Sequence, residues 1–373
     1  MQTSIKSSKW FYRIAGAVLF LMVASALSNG LFDDGRSARL GARILIDDPR
    51  GFAAMLDGRA ERPFAYRRLV PDILNAIDAM VPAATQDRIF AQRSAEGVPE
   101  TQKYLASPLA ASRVYFLRYY AELYLNVAFI FAGIVLAYRL GLGVGYSRPI
   151  AALAAIGLFF VAAYFGPEYI YDYPELACML LLVWAAIRLD WYWLLPIVAL
   201  GTYNKESFLF YLIALYPFLR NRASAKLAAL RLASLMLVAG LVNLYVHARF
   251  RLNPGSVAEQ HFGAQLHFLL YVFVPHGFRR IFGLVLPSQT NIVCIVLVAW
   301  FVWKGWPLLS RPQRWHAVLA SAVNFPLYFL LGSPGELRAL SMLYTPILFL
   351  MLANLDAWQR AAQPTLHPTG SPA

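Results

Sequence analysis

The sequence predicts an all-α fold, a polytopic transmembrane helical bundle of about ten spans, and three observations carry that reading. Hydrophobic residues fill 59% of the 373 positions while only 14% are charged. The mean hydropathy is +0.52, which leaves more apolar surface than a soluble domain can cover. The apolar residues come in runs close to the roughly 20 that a helix needs to cross roughly 30 Å of hydrocarbon. Most loops between the runs carry Lys and Arg, as cytoplasmic loops do. Inside hydrocarbon the backbone must satisfy itself, so the spans are helices; a transmembrane β-barrel would show shorter, alternating segments.

The elements follow in order. Lys6, Lys9, Trp10 and Arg13 precede an apolar run from Ile14 to Leu27, the pattern of a signal anchor that starts in the cytoplasm. A long polar segment, 28–118, then mixes acids and bases and reads as an extracytoplasmic loop of short helices, one over Pro71 to Val81 stopped by Pro82. Spans are expected at Tyr119 to Tyr138, Pro149 to Phe165 and Tyr173 to Ile187. The stretch Trp191 to Leu219 is too long for one untilted helix and is broken by Asn204, Lys205, Glu206 and Ser207, with basic residues at both ends. It reads as two short helices in a hairpin with the polar tetrad at its outer tip. A span at Leu227 to Val246 follows, then a second outer segment, 249–290, expected to be interfacial or re-entrant. Spans at Asn291 to Trp306, Trp315 to Leu331 and Ala339 to Leu355 complete the bundle, with both termini cytoplasmic in a bacterial inner membrane.

The net charge of +13 sits largely in these short loops, where it orients the chain, so nucleic acid is not an expected partner and membrane lipid is. Cys178 and Cys294 lie in apolar runs without neighbouring ligand types, and the histidines 247, 261, 267 and 276 are not at zinc-site spacing. No Walker A loop, nucleophile elbow or dinucleotide fingerprint occurs, so no residues for ATP-driven chemistry are visible.

Threading the runs through a bilayer gathers the remaining polar residues on one face. Asp33 and Asp34 follow the first span at once. A carboxylate there suits a general base toward an acceptor hydroxyl or a ligand for a divalent cation, and both roles stay open. In the stretch Arg62 to Pro71, Tyr66, Arg67 and Arg68 present guanidinium forks and a hydroxyl suited to phosphate oxygens. Glu168, Asp172 and Glu175 lie among Tyr169, Tyr171 and Tyr173, a set matched to the hydroxyls and apolar faces of a sugar. An interfacial aromatic belt would explain the tyrosines but not the three acids. Asn204, Lys205 and Glu206 at the hairpin tip either cap it, with Lys205 paired to Glu206, or hold a pyrophosphate. Glu336 and Arg338 give the same choice between a mutual ion pair and an anion contact.

The acidic pair after the first span, the long first outer loop and the polar outer tips resemble the GT-C class of integral membrane glycosyltransferases. The runs R-P-F-A-Y-R-R-L-V-P (62–71), Y-D-Y-P-E-L (171–176), N-K-E-S (204–207) and G-E-L-R (335–338) are similar to those of little-characterised bacterial inner-membrane proteins near that class. The resemblance implies that Asp33 or Asp34 is the catalytic base or metal ligand, and that the donor is a polyprenyl-phosphate-linked sugar entering from lipid. The expected function is therefore sugar transfer on the extracytoplasmic face. Arg67, Arg68 and Lys205 would neutralise the leaving phosphate, and Glu168 and Asp172 would bind sugar hydroxyls. A polysaccharide polymerase or ligase working through basic residues, and a transporter or flippase for an anionic lipid or solute, are the alternatives.

Overall fold

The computed structural model describes residues 2–33, 48–96, 108–166, 169–258, 260–271, 278–281, 284–287 and 291–362. They are helical almost throughout. Helix α1 (Gln2–Asp33) extends the apolar run at both ends, so Asp33 belongs to its last turn instead of the following loop. The first outer segment holds α2 (Phe52–Leu56), a 3-10 turn (Phe64–Tyr66), α3 (Leu69–Met80), α4 (Ala83–Glu96) and α5 (Pro108–Ala111). Next come α6 (Phe116–Gly143), α7 (Arg148–Phe165), α8 (Asp172–Arg188), α9 (Leu194–Asn204), α10 (Phe208–Asn221) and α11 (Ala225–Arg249). The chain ends with α12 (Phe262–Tyr271), α13 (Ile292–Gly305), α14 (Arg311–Leu331), a 3-10 turn (Leu337–Leu343) and α15 (Tyr344–Ala362).

Four of these helices are long and apolar enough to cross a membrane: α6, α7, α11 and the continuous Leu337–Ala362. Shorter apolar helices lie at Ile14–Asn29, Phe208–Asn221 and Ile292–Leu308. One departure from an all-α chain falls in the second outer segment, where strands Phe278–Ile281 and Leu284–Pro287 pair antiparallel. They lie in a stretch too short and too Gly-interrupted for a helix.

At the centre, α6 packs along α8, α7 and α1, while α15 lies on α7 and α14 on the 3-10 turn before α15. Between apolar helices in lipid there is little hydrophobic drive, and close van der Waals approach takes its place. The face that α7 buries is accordingly rich in alanine: Ala151, Ala154, Ala155, Ala162 and Ala163.

The stretch 191–221 is a hairpin. Asn204, ending α9, donates to the Tyr171 carbonyl at 2.9 Å, whereas Arg222, just beyond α10, donates to the carbonyl of Leu189 at the opposite end of α8. The arms are 11 residues and, in the return arm, three short helical pieces from Phe208 to Asn221, each well short of roughly 30 Å at 1.5 Å per residue. At the tip Gly201 admits the ring of Phe208, and a Cβ on Gly201 would stand 2.5 Å from that ring.

The first outer segment is fastened to the chain beyond α11. Arg62 donates its backbone N–H to the Pro254 carbonyl at 2.8 Å and its Nη2 to the Gly255 carbonyl at 2.6 Å. Asn253 donates to the carbonyls of Gly58 and Ala60 at 2.9 and 2.8 Å. Gly255 has φ +90°, and its place is taken up so closely by Arg62 that a Cβ would meet the Arg62 carbonyl at 2.8 Å. These ties place Arg67 over the ends of α8, α9 and α11.

Candidate functional site

Four segments far apart in sequence meet at one end of the bundle: the turn around Arg67, the loop 169–175, the hairpin tip 204–206 and the segment 336–341. Each is aimed by local structure. Asp172 and Glu175 lie in the first turn of α8, where the positive end of the helix dipole favours carboxylates. Lys205 ends α9 with extended backbone, φ −156° and ψ 126°, and successive side chains of an extended chain point to opposite sides. Lys205 and Glu206 consequently find different partners, and the mutual pair considered for the tip does not form.

Lys205 Nζ donates to Glu175 Oε2 at 2.7 Å, and Ser341 Oγ donates to the other oxygen, Oε1, at 3.0 Å. Glu206 receives Arg67 through two nitrogens, at 3.3 and 3.5 Å. Arg338 Nη1 donates to both oxygens of Asp172, at 3.1 and 3.2 Å, while Nη2 pairs with Glu336. Glu336 in turn accepts the Ser333 backbone N–H at 3.1 Å. Of the two alternatives for Glu336 and Arg338 the mutual ion pair forms, and Arg338 is joined to Asp172 as well.

Tyrosines link the ion pairs. Tyr169 and Tyr171 stack with centroids 5.1 Å apart and planes 9° off parallel. Arg67 lies 4.3 Å over Tyr171 and Arg338 4.3 Å over Tyr169, so a guanidinium caps each ring as cation–π geometry requires. Arg67 donates to the Tyr171 hydroxyl as well, and Lys205 stands 5.7 Å from the same ring. Burial pushes the Tyr171 phenol well above its ordinary range, against the opposing pull of Arg67 and Arg338. Burial also opposes ionisation of Glu206, yet the Arg67 guanidinium outweighs it and holds that carboxyl below the usual carboxylate range. Arg67 stays charged for the complementary reason: burial works against its charge, and Tyr171 and Glu206 overcome it.

Two expected site residues point elsewhere. Arg68 is buried, donates to the Met55 carbonyl at 2.5 Å and pairs with Asp72 one turn along α3. Asp72 also accepts the Tyr203 hydroxyl, so Arg68 braces the loop onto α9 and does not join the cluster. Tyr66 is buried with its ring stacked on His247 at 3.9 Å, which makes it a packing residue of the outer segment. Asn204 uses its amide on the Tyr171 backbone and positions the loop. Asp34 and Glu168 lie outside the described residues, and Asp33 is described as the last residue of α1.

Ser341, Asp72 and Tyr203 were not picked out from the sequence. Ser341 follows the G-E-L-R run by three residues, and that spacing was the one available signal. Among the described residues no group of three or more His, Cys, Asp or Glu side chains could hold a metal ion.

Searches of protein-family models, curated proteins and solved structures return no match to this chain.

Proposed function

We propose that the chain is a membrane glycosyltransferase of GT-C type that moves a sugar from a polyprenyl-phosphate-linked donor to an acceptor on the extracytoplasmic face. The observation that carries this reading is the convergence of Arg67, Asp172, Lys205 and Arg338 through the stacked pair Tyr169 and Tyr171. Carboxylates beside the stacked pair are acceptors suited to sugar hydroxyls, and the two guanidiniums that cap the rings are donors suited to a phosphate.

In this mechanism Asp33 or Asp34 takes the proton of the acceptor hydroxyl as it attacks the anomeric carbon. The bond to the donor phosphate breaks, and the departing phosphate carries its negative charge to Arg67 and Arg338, the larger of the two stabilising contributions. The proposal includes the fuller topology, about ten crossings counting short helices and hairpin arms, both termini cytoplasmic, in a bacterial inner membrane. Single-cysteine labelling at positions 3 and 360 from the cytoplasmic side tests that topology.

The decisive assay is transfer of labelled sugar from a synthetic polyprenyl-phosphate donor by the purified chain in lipid. D33N/D34N and R67A proteins that elute and melt as folded should lose transfer. Undiminished transfer by both would sink the assignment. A polymerase or ligase would lose activity with R67A but keep it in D33N/D34N under chelation.

A further inference from the structure

Among the described residues, Glu122 is the most buried carboxylate that the cluster above does not use. It lies in α6, a helix long and apolar enough to cross a membrane, and is 5% exposed. The sequence hides it because a single Glu in an apolar run breaks no pattern. In the helix it falls in the buried stripe Tyr119, Glu122, Asn126, Ile130, Gly133 and Ala137, whose spacing of three and four keeps all six on the face turned toward neighbouring helices.

Its surroundings are fixed by two contacts between α6 and α1. Phe20 meets Tyr138 with ring centroids 5.6 Å apart, and Asn126 Nδ2 donates to Ser28 Oγ at 3.1 Å. Moving along α1 raises the partner number on α1 while lowering it on α6, so the two run antiparallel. One further turn along both helices sets Glu122 level with the last turn of α1, which ends at Asp33. The final carbonyls of a helix have no partner within it and carry the negative end of its dipole.

Among the described residues, the positive charge nearest Glu122 along α6 has partners of its own. Arg118, one turn earlier on α6, donates to Asn75 at 3.0 Å and to the Val114 carbonyl, and stands 4.0 Å from Asp57 and Asp78. On α8, Glu175 is held by Lys205. Arg148 of α7 and Asp356 and Arg360 of α15 lie at the other end of the bundle, and α5 contributes no ionisable group. Among the described residues no hydrogen bond or ion pair reaches the Glu122 carboxylate. A bare carboxylate in such a place costs several kcal/mol or more, so it does not remain bare.

We infer that Glu122, with Asn126 and Ser28, forms a site for one monovalent cation, H⁺ or Na⁺, at the end of the α1–α6 seam where α1 terminates. The carboxylate supplies the charge, and the Asn126 carbonyl and Ser28 hydroxyl supply neutral oxygens. Neither source requires the transfer reaction, so the site stands or falls separately from the proposed activity.

The test uses the full chain in nanodiscs of neutral lipid. Thermal unfolding is measured with Na⁺ exchanged for N-methylglucamine at constant ionic strength, at mildly acidic and at alkaline pH, alongside the infrared band of protonated carboxyl groups. If Na⁺ occupies the site, it raises the melting temperature at alkaline pH, loses that effect in acid, and does nothing to Glu122→Gln. If a proton occupies it, Na⁺ is without effect and a protonated-carboxyl band present in the parent protein disappears in Glu122→Gln. The inference is overturned if the parent protein shows neither response, or if Glu122→Gln shows both unchanged. Should Glu122→Gln fail to fold, Asn126→Ala takes its place; it should weaken the Na⁺ response or shift the band, and leaving both unaltered is again fatal.

Discussion

Replacing Lys205 by methionine would test the buried half of the cluster most directly. Lys205 Nζ lies 2.7 Å from Glu175 Oε2, and the side chains are 12% and 2% exposed respectively. At an effective dielectric near 20, unit charges about 4 Å apart attract by about 4 kcal/mol. That attraction is offset by the cost of taking both ions from water, so the pair itself adds little net stability. Removing only the cation is different, because Glu175 cannot turn to solvent and keeps just the Ser341 hydroxyl. Loss of one member of a buried pair costs about 3–5 kcal/mol, and K205M should fall in that range. Glu175→Gln should cost only about 1–2 kcal/mol, since the amide oxygen still accepts from Ser341 and Lys205 can reach water. The double variant K205M/E175Q should lie close to Glu175→Gln and well above K205M. Reversible unfolding of the purified chain in mixed micelles, followed by tryptophan fluorescence, gives the four free energies of the cycle. Additive losses, or K205M milder than Glu175→Gln, would refute the burial and pairing of Glu175.

Two shorter expectations accompany it. The carboxyl of Glu206 is held below the ordinary range in the folded chain, so it binds protons more readily when unfolded; its contribution is complete above about pH 4.3 and is lost as pH falls through the lower folded value. An acid titration of stability should therefore be shallower in Glu206→Gln than in the parent, and equal slopes would count against the Arg67 pairing. At the hairpin tip, Gly201→Val should destabilise by about 1–3 kcal/mol through overpacking against Phe208, read from the same unfolding assay.

The helices were largely legible from apolar run length, with α7 and α8 beginning within one residue of the expected starts. The hairpin was legible for a chemical reason, because a charged pair cannot sit mid-span without a break. Partner choice was not. Whether Lys205 bonds Glu206 or Glu175 depends on one extended residue, which the sequence does not mark. Likewise Arg67 and Arg68 are adjacent and chemically identical, yet the bend between the 3-10 turn and α3 sends one to the cluster and the other to Met55 and Asp72. The strand pair at 278–287 was missed because its apolar residues sit in a stretch also readable as an interfacial helix.

The ion pairs also rank the three cations as anion ligands. A phosphate competes with any carboxylate that already holds a guanidinium, and it gains most where that carboxylate can move away. The side chains of Glu206 and Glu336 are 25% and 22% exposed and can swing toward water, whereas those of Glu175 and Asp172 are 2% and 9% exposed and cannot. Arg67 is therefore readily released, Arg338 is released from Glu336 but keeps Asp172, and Lys205 stays engaged. The sequence reading gave Lys205 the same phosphate role as Arg67, and the burial of its partner argues for a structural role instead. On this reasoning Glu206→Gln, which removes the charge competing for Arg67, should bind polyprenyl phosphate more tightly than the parent, by roughly tenfold for each 1.4 kcal/mol of competition removed. Glu175→Gln should leave that affinity within about twofold, a difference of roughly 0.4 kcal/mol. Binding to detergent-solubilised protein, measured by quenching of tryptophan fluorescence, separates the two variants. Weaker binding in Glu206→Gln would mean that the carboxylate holds Arg67 in place for the anion, and the ranking of the cations would be wrong.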